Sequence, residues 1–155
     1  MTYYFAYGSN MSLEQMKIRC PSCKMIAIGE LRDYLLEFPR WSKSRKCGVS
    51  SIIYKKDSNV WGVIFELIGD DVTKLDRKEG YRNTRPADKN SYNKIDVAVS
   101  SAGNTIKCMT YIANPEDGEY RPSRSYMNDI LTGARENELP EEYIHWLSRI
   151  PLQKE

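Results

Sequence analysis

Three short polar features of this sequence could carry chemistry. The first is Gly8-Ser9-Asn10, which follows the apolar, aromatic run of residues 2–7 and precedes a helical pattern. A strand that turns there into a helix exposes several backbone N–H groups in one place. Together with the positive end of the helix dipole, these groups can hold a phosphate, a carboxylate or a developing oxyanion. An ordinary turn is the alternative, because Gly, Ser and Asn are common turn residues.

The glycine in this turn is expected to allow an unusual φ angle and to leave room for a ligand. The spacing argues against a nucleotide, because neither G-x-G-x-x-G nor G-x-x-x-x-G-K-[ST] is present here, and those are the spacings that cradle nucleotide phosphates. An acidic group other than a nucleotide phosphate is therefore the expected ligand.

The second feature is Glu79, next to Gly80 at the predicted end of a short helix. A carboxylate in the last turn opposes the helix dipole at a cost of a few tenths to about 1 kcal/mol, so a functional role could offset that cost. Burial would raise its pKa toward working pH. Taken alone, Glu79 is more typical of a solvated surface glutamate, because glutamates are mostly exposed.

The third feature is Cys20-Pro-Ser-Cys23. A zinc site needs a second close pair, and Cys47 and Cys108 are far apart in the sequence. A redox motif should begin a helix, whereas a helix is predicted to end here. We therefore expect reduced loop and core cysteines and no metal. His145, the only histidine, lies beside Trp146 and is interpreted as structural or exposed.

Composition narrows the function classes. The chain has 155 residues, with 23 Lys and Arg against 21 Asp and Glu, for a net charge of +2. That charge is too small to indicate nucleic acid or a membrane surface, and the basic stretch Lys43–Lys46 is typical of a solvated loop. No signal peptide or membrane-length apolar run is found, so a cytoplasmic protein with a single domain over residues 1–155 is expected.

The elements that must position these residues alternate between strand and helix signals. Residues 2–7 predict a strand, and Ser12 with Gln15 predicts a capping box for a helix ending near Arg19. Residues 24–38 predict one bent strand or two, with a bulge at Gly29, and residues 39–46 predict a loop. Two strands, 48–54 and 60–67, are expected to form a hairpin through Asp57-Ser58-Asn59.

The second half predicts a short helix, a hairpin and two terminal helices. Asp70 or Asp71 caps the helix that ends at Gly80. A second hairpin is expected around Ser101–Asn104, a helix capped by Ser123 or Ser125 follows, and Pro140 is placed at position N1 of the last helix. The fold class is α+β: a small mixed, mostly antiparallel curved sheet or barrel flanked by helices.

Four ordered blocks, spanning about residues 3–150, resemble the γ-glutamylcyclotransferase family within the AIG2-like group. They are "YFAYGSNM", "NVWGVIFEL", "LDRKEGY" and "RPSRSYMNDILTGARENELPEEYIHWL". The resemblance implies a small β-barrel with helices and no cofactor. It also implies Glu79 as the catalytic acid and base. The implied substrate-binding residues are Tyr4, Phe5, Ala6, Tyr7, Gly8, Ser9, Asn10 and Tyr126.

The implied reaction is an amide cyclisation. The α-amine of a γ-glutamyl group attacks its own γ-carbonyl, 5-oxoproline forms and an amino acid leaves, as in glutathione metabolism. The implied partner is a small γ-glutamyl substrate, without nucleic acid or membrane, and a homodimer stays open. The alternatives are cyclisation with another leaving group, such as a γ-glutamylamine, or a non-catalytic module that binds a small acidic ligand. The basic loop at residues 39–46 and Cys47 depart from the family pattern and bear on the leaving group.

Overall fold

A computed structural model describes residues 1–154, and these form a closed five-stranded barrel with four α-helices. The strands are β1 (Thr2–Ala6), β2 (Lys24–Ser42), β3 (Cys47–Leu67), β4 (Tyr92–Ser101) and β5 (Asn104–Ala113). The helices are α1 (Leu13–Arg19), α2 (Asp71–Glu79), α3 (Arg124–Glu136) and α4 (Glu141–Ser148). The predicted α+β class is confirmed. Residue 155, the end of the predicted domain, lies outside the described residues.

The barrel order is β1-β3-β2-β4-β5, closed by a parallel contact between β1 and β5 at Tyr4 and Met109. The other neighbouring pairs among the described strands are antiparallel. The mixed, mostly antiparallel curved sheet is therefore confirmed. Parallel pairing of β1 with β5 brings the end of β1 to the rim of the barrel, where the Gly8–Asn10 bend begins.

The hairpin predicted at Asp57-Ser58-Asn59 is wrong. Residues 47–67 form one strand, β3, which pairs with β2 on both sides of this segment, from Leu31↔Val60 to Tyr34↔Tyr54. The extra residues bulge out of the ladder, where Asp57 takes a φ of 68° and its N–H donates to Asp33 Oδ1 over 3.0 Å. Turn-forming residues thus mark a bulge inside a long strand.

Two expectations for β2 are also corrected. Gly29 is not a bulge: it pairs with Gly62 in register, and an added Cβ would lie 2.4 Å from Val99 Cγ1. Close packing inside the barrel explains this glycine. The loop predicted at 39–46 is shorter, because β2 continues to Ser42 and only residues 43–46 turn.

The helix signals are mostly confirmed. Ser12 Oγ accepts from Gln15 N over 3.3 Å, Ser123 Oγ accepts from Tyr126 N over 3.1 Å, and Gly80 ends α2 with a φ of 69°. The other hydrogen bond of the predicted capping box, between the Gln15 side chain and the Ser12 N–H, is wrong. The Gln15 side-chain amide donates to Ser9 Oγ and Asn10 Oδ1 instead.

Asp70, one of the two predicted candidates, is the N-cap of α2, but its side chain makes no capping bond. The Asp71 carboxylate instead accepts from Ile68 N over 3.1 Å. One boundary prediction is wrong. Pro140 is the N-cap of α4 rather than its first residue.

The hairpin predicted around Ser101–Asn104 is confirmed: β4 and β5 pair at Ser101↔Asn104, and the two turn residues both have positive φ.

Candidate active site

A small recess opens at the rim of the barrel, with a volume of about 50 Å³. We call it the inner recess. It is lined by the Gly8–Asn10 bend, Ser50, Glu79, Tyr4, Tyr7, Tyr92, Tyr111 and Tyr126. Residues from β1, β3, α2, β4, β5 and α3 therefore meet around one space. The carboxyl group of Glu79, the bend and Tyr126 lie together there, as the sequence interpretation requires.

Glu79 is the last residue of α2, and the end of this helix is firmly held. Gly80 adopts the left-handed conformation, and the N–H of Tyr81 donates to Asp76 O over 2.9 Å. The Gly80 carbonyl accepts from Arg85 Nη2 over 2.7 Å and from Ser91 N over 3.3 Å. This arrangement fixes where the helix stops, and with it the position of the Glu79 side chain.

Asn10 connects the bend to Glu79. Its buried side-chain amide donates to Glu79 Oε1 over 3.1 Å and to the Tyr4 hydroxyl over 2.9 Å. Its Oδ1 accepts from Gln15 Nε2 over 3.1 Å and from the Arg19 guanidinium. Because both ends of the amide are bonded, its orientation is set, and its N–H₂ group is directed at the carboxylate.

Burial in the recess raises the pKa of Glu79, and nearby positive groups act against this. The Arg19 guanidinium is the largest of these opposing influences, followed by the Asn10 hydrogen bond and by Lys78 and Arg45. The net effect is an increase in pKa. A glutamate with a raised pKa accepts a proton more readily than an exposed one, which suits general acid and base chemistry.

Tyr126 is held by Ser50 of β3. Its hydroxyl accepts from Ser50 N over 2.9 Å and lies 2.8 Å from Ser50 Oγ. The Ser50 carbonyl accepts from the Tyr92 hydroxyl over 2.7 Å, and burial raises the pKa of both tyrosines. Both phenols therefore stay protonated and serve as neutral hydrogen-bonding groups.

The structure brings some of the predicted binding residues to the recess and not others. Tyr4 and Tyr7 line it, although the Tyr7 hydroxyl already donates to Tyr111 O over 2.6 Å. Phe5 and Ala6 are fully buried and do not line it. The Phe5 carbonyl accepts from Thr110 Oγ1 over 2.7 Å, so these two residues build the barrel wall beneath the site.

Gly8 is needed for space rather than for an unusual φ. Its φ is −117°, and an added Cβ would lie 2.5 Å from Ser50 Oγ. The bend continues as a 3₁₀ helix, Ser9–Met11, whose first N–H groups have no partner within the helix. The expectation of an unusual φ at Gly8 is therefore corrected, and the close approach to Ser50 explains the glycine.

Helix α3 holds the other end of the bend. Gly133 lets it approach so closely that an added Cβ would lie 2.8 Å from Met11 Cβ and 2.9 Å from Ser12 N. Asn137 Nδ2, from the residue after α3, donates to Met11 O over 2.9 Å. The Gly-Ala-Arg-Glu-Asn segment at 133–137 thus anchors the bend, although it contributes no residue to the recess.

A larger space, with a volume of about 850 Å³, lies outside the recess and shares Ser9, Glu79, Tyr92 and Tyr126 with it. We call it the outer cavity. Its walls carry two carboxylates, Glu79 and Glu116, and six cationic side chains: Arg19, Arg40, Lys43, Arg45, Arg77 and Lys78. The stretch 43–46 is therefore not only a solvated loop, because Arg45 is half-buried and its guanidinium lies 4.8 Å from the Tyr126 ring centroid.

Sequence reasoning missed Ser50, Arg19 and Tyr92 as site residues. Ser50 lies in a strand of small and β-branched residues, and Arg19 is a common type of residue for a helix end, so neither carries a distinctive local signal.

Cys20 and Cys23 are free and belong to the hydrophobic core, and burial raises the pKa of Cys20 to about 11. Within residues 1–154, no three metal-ligating side chains cluster.

No helix in the described part of the chain is both long and apolar enough to cross a bilayer.

The AIG2-like family model matches residues 59–147. γ-Glutamylcyclotransferases of Mus musculus and Homo sapiens are each 33% identical over 153 residues, which cover 95% of this chain and 77% of each relative. A solved structure of a γ-glutamyl cyclotransferase superposes with a TM-score of 0.90 at 30% identity, over 99% of this chain and 90% of that one.

Proposed function

This chain belongs to the γ-glutamylcyclotransferase family of AIG2-like proteins, and from that premise we propose how its inner recess performs the reaction. The chain is an enzyme, a γ-glutamyl cyclotransferase. We propose that it converts γ-glutamyl amino acids into 5-oxoproline and a free amino acid, with Glu79 as general acid and base. The observation that carries this proposal is the Asn10 amide donating to Glu79 Oε1 over 3.1 Å, inside a recess shared with the bend and Tyr126.

The first step is a proton transfer. The α-amine of the substrate arrives as an ammonium group and cannot attack until it loses a proton. The Glu79 carboxylate takes that proton, and the raised pKa makes it a better base than an exposed glutamate. The neutral amine then attacks the γ-carbonyl carbon of the same molecule, and the carbonyl oxygen becomes an oxyanion.

The second step breaks the amide bond. The oxyanion collapses to a carbonyl as the bond between the γ-carbon and the leaving nitrogen breaks, and Glu79 returns its proton to that nitrogen. The attacking nitrogen still carries two hydrogens, and it gives one of them to the Glu79 carboxylate, which passes it to the released amine. The lactam is then neutral, the amine leaves as an ammonium group, and one carboxyl group completes the cycle. The N–H groups of the Gly8–Asn10 bend supply donors for the oxyanion or for the α-carboxylate.

The main contribution of the recess is orientation. Amine and carbonyl are in one molecule, and a correctly folded conformer of such a pair is worth several orders of magnitude in rate. Tyr126, fixed by two contacts to Ser50, and Tyr4, fixed by Asn10, border the space where that conformer would lie. Further proposals are a single domain over residues 1–155, a cytoplasmic location and a small-molecule substrate without nucleic acid or membrane.

The test is release of 5-oxoproline from γ-glutamyl-alanine by the purified protein. Glu79→Gln keeps the shape and the Asn10 contact but removes the base, so kcat should fall by roughly 10²–10⁴-fold. Glu141→Gln, an exposed glutamate of α4, is the matched control and should keep full activity. Equal thermal unfolding of the three proteins would show that the fold survives.

Two results would contradict parts of this proposal. A Glu79→Gln variant with most of its activity would remove Glu79 as the base. Turnover only of γ-glutamyl-methylamide, and not of γ-glutamyl amino acids, would favour the γ-glutamylamine alternative. The relatives give no support to a non-catalytic module, and that interpretation predicts no turnover of any γ-glutamyl amide.

A further inference from the structure

We propose that the outer cavity selects leaving groups with two or more carboxylates, such as an acidic amino acid or an acidic peptide, and this rests on the proposed cyclisation. The inner recess, at about 50 Å³, is large enough only for the reacting end of a substrate, whereas the outer cavity, at about 850 Å³, has the size of a ligand pocket. Both meet at Glu79, so a leaving group bonded to the γ-carbonyl must extend into the outer cavity.

The charge of the outer cavity is strongly unbalanced. Six cationic side chains face two carboxylates, and one of those, Glu79, is assigned to the reaction. The other, Glu116, accepts from Trp41 N over 3.0 Å at the exposed edge. The whole chain carries a net charge of only +2, so the cations are concentrated here rather than spread evenly. A cavity lined by one sign of charge attracts ligands of the other sign.

Arg40 and Arg45 are the side chains best placed to bind such a ligand. Arg40 is half-buried, and its Nη1 donates over 3.1 Å to the neutral carbonyl of Asn114. Residues 1–154 include no carboxylate in an ion pair with it. A half-buried guanidinium without a counter-ion leaves several donors for a carboxylate, which it can bind in a bidentate manner.

Arg45 has a counter-ion, but a weak one. Its Nη1 lies 3.3 Å from Asp129 Oδ2, and the Asp129 side chain is 48% exposed. Exposed ion pairs contribute little free energy, so the guanidinium can bind a second anion. Its position over the Tyr126 ring holds it where the inner recess and the outer cavity meet. One carboxylate of the leaving group can therefore lie near Arg45 and a second near Arg40.

Arg40 lies in β2 and Arg45 in the turn that follows it. The anionic groups that these two arginines bind are expected to be carboxylates. The proposed reaction releases an amino acid or a peptide, and carboxylates are the anionic groups that these molecules carry. A neutral or cationic side chain on the leaving group would leave Arg40 unpaired. A lysine side chain would in addition be repelled by the cationic walls.

The experiment compares kcat/KM for γ-glutamyl-glutamate, γ-glutamyl-alanine and γ-glutamyl-lysine at low salt. We expect γ-glutamyl-glutamate to exceed γ-glutamyl-alanine by about 10-fold or more, and γ-glutamyl-lysine to be the poorest, since a hydrogen bond to a charged group is worth about 10- to 100-fold. Arg40→Gln should abolish most of the preference for γ-glutamyl-glutamate while changing kcat/KM for γ-glutamyl-alanine much less. Arg149→Gln, an exposed arginine that follows α4, makes the same change in net charge and should keep the preference.

The outcomes separate this inference from the proposed function. Release of 5-oxoproline from all three substrates at similar rates would overturn the inference and leave the cyclisation intact. If none of the three substrates is turned over, their binding to Glu79→Gln is measured by calorimetry. Tighter binding of γ-glutamyl-glutamate than of γ-glutamyl-alanine would support the acidic preference, and equal binding would overturn it. A preference unchanged in Arg40→Gln would also overturn the assignment.

Discussion

The inner recess and the outer cavity share Ser9, Glu79, Tyr92 and Tyr126, yet they hold their polar groups in different ways. In the recess, Asn10 and Ser50 are buried and each makes several hydrogen bonds to named partners. In the outer cavity, six of the eight charged groups are long cationic side chains that are half-buried or exposed. A fixed network suits a reaction that depends on orientation, while flexible cations suit recognition of variable leaving groups. Substitutions in the recess should therefore affect kcat, and those in the outer cavity should affect selectivity.

The substitution Asn10→Ala tests this comparison most directly, and its expected effect is the largest after that of Glu79→Gln. It removes the side-chain amide that donates to Glu79 Oε1 and to the Tyr4 hydroxyl in the inner recess. We expect kcat to fall by roughly 10- to 100-fold, the value of a hydrogen bond to a charged group. Initial rates with γ-glutamyl-alanine would measure it.

Asn128→Ala, on the exposed face of α3, is the control and should leave kcat unchanged. If Asn10→Ala raised KM alone and kept kcat, the network would serve binding and not the orientation of Glu79. Thermal unfolding of both variants would separate a local loss from general destabilisation.

A second prediction concerns Arg19, which lines the outer cavity and donates to Asn10 Oδ1 in the inner recess. Arg19 lowers the pKa of Glu79 against the dominant effect of burial. Arg19→Gln removes the positive charge and keeps a donor for Asn10 Oδ1, so the Glu79 pKa should rise further. Because the base must be ionised to accept a proton, the acidic limb of the pH profile of kcat/KM should move to higher pH. Arg149→Gln should not move that limb, and a shift of Arg19→Gln to lower pH would contradict the assignment.

The fold was largely predictable from local signals, and its errors have physical causes. Ser12, Ser123 and Gly80 marked the helix ends correctly, because caps depend on a few neighbouring residues. The supposed hairpin at Asp57-Ser58-Asn59 failed because turn residues also suit a bulge, and only pairing with the distant strand β2 distinguishes the two. Gly29 was misinterpreted for a similar reason, since its neighbour Val99 is far away in the sequence.

The site was predictable only in part. The resemblance placed Glu79, the bend and Tyr126, and the structure brings all three to one recess. It could not separate Tyr4 and Tyr7, which line the recess, from Phe5 and Ala6, which lie in the wall. The role of Gly133 also needed the structure, because the tight contact with Met11 joins segments more than a hundred residues apart. Contacts between distant segments leave no local trace in the sequence.

The smallest effect is expected at the exposed edge of the outer cavity, at Lys43. Lys43→Gln should lower kcat/KM for γ-glutamyl-glutamate by less than about fivefold at low salt, because an exposed charge contributes at most about 1 kcal/mol. Near 1 M salt the difference should vanish, since screening acts within about 3 Å there. Lys55→Gln, an exposed lysine of β3 that does not line the outer cavity, is the control. A loss of tenfold or more that persists in high salt would place Lys43 in direct contact with the substrate. The edge of the outer cavity would then belong to the fixed part of the site, and the contrast between the two regions would be lost.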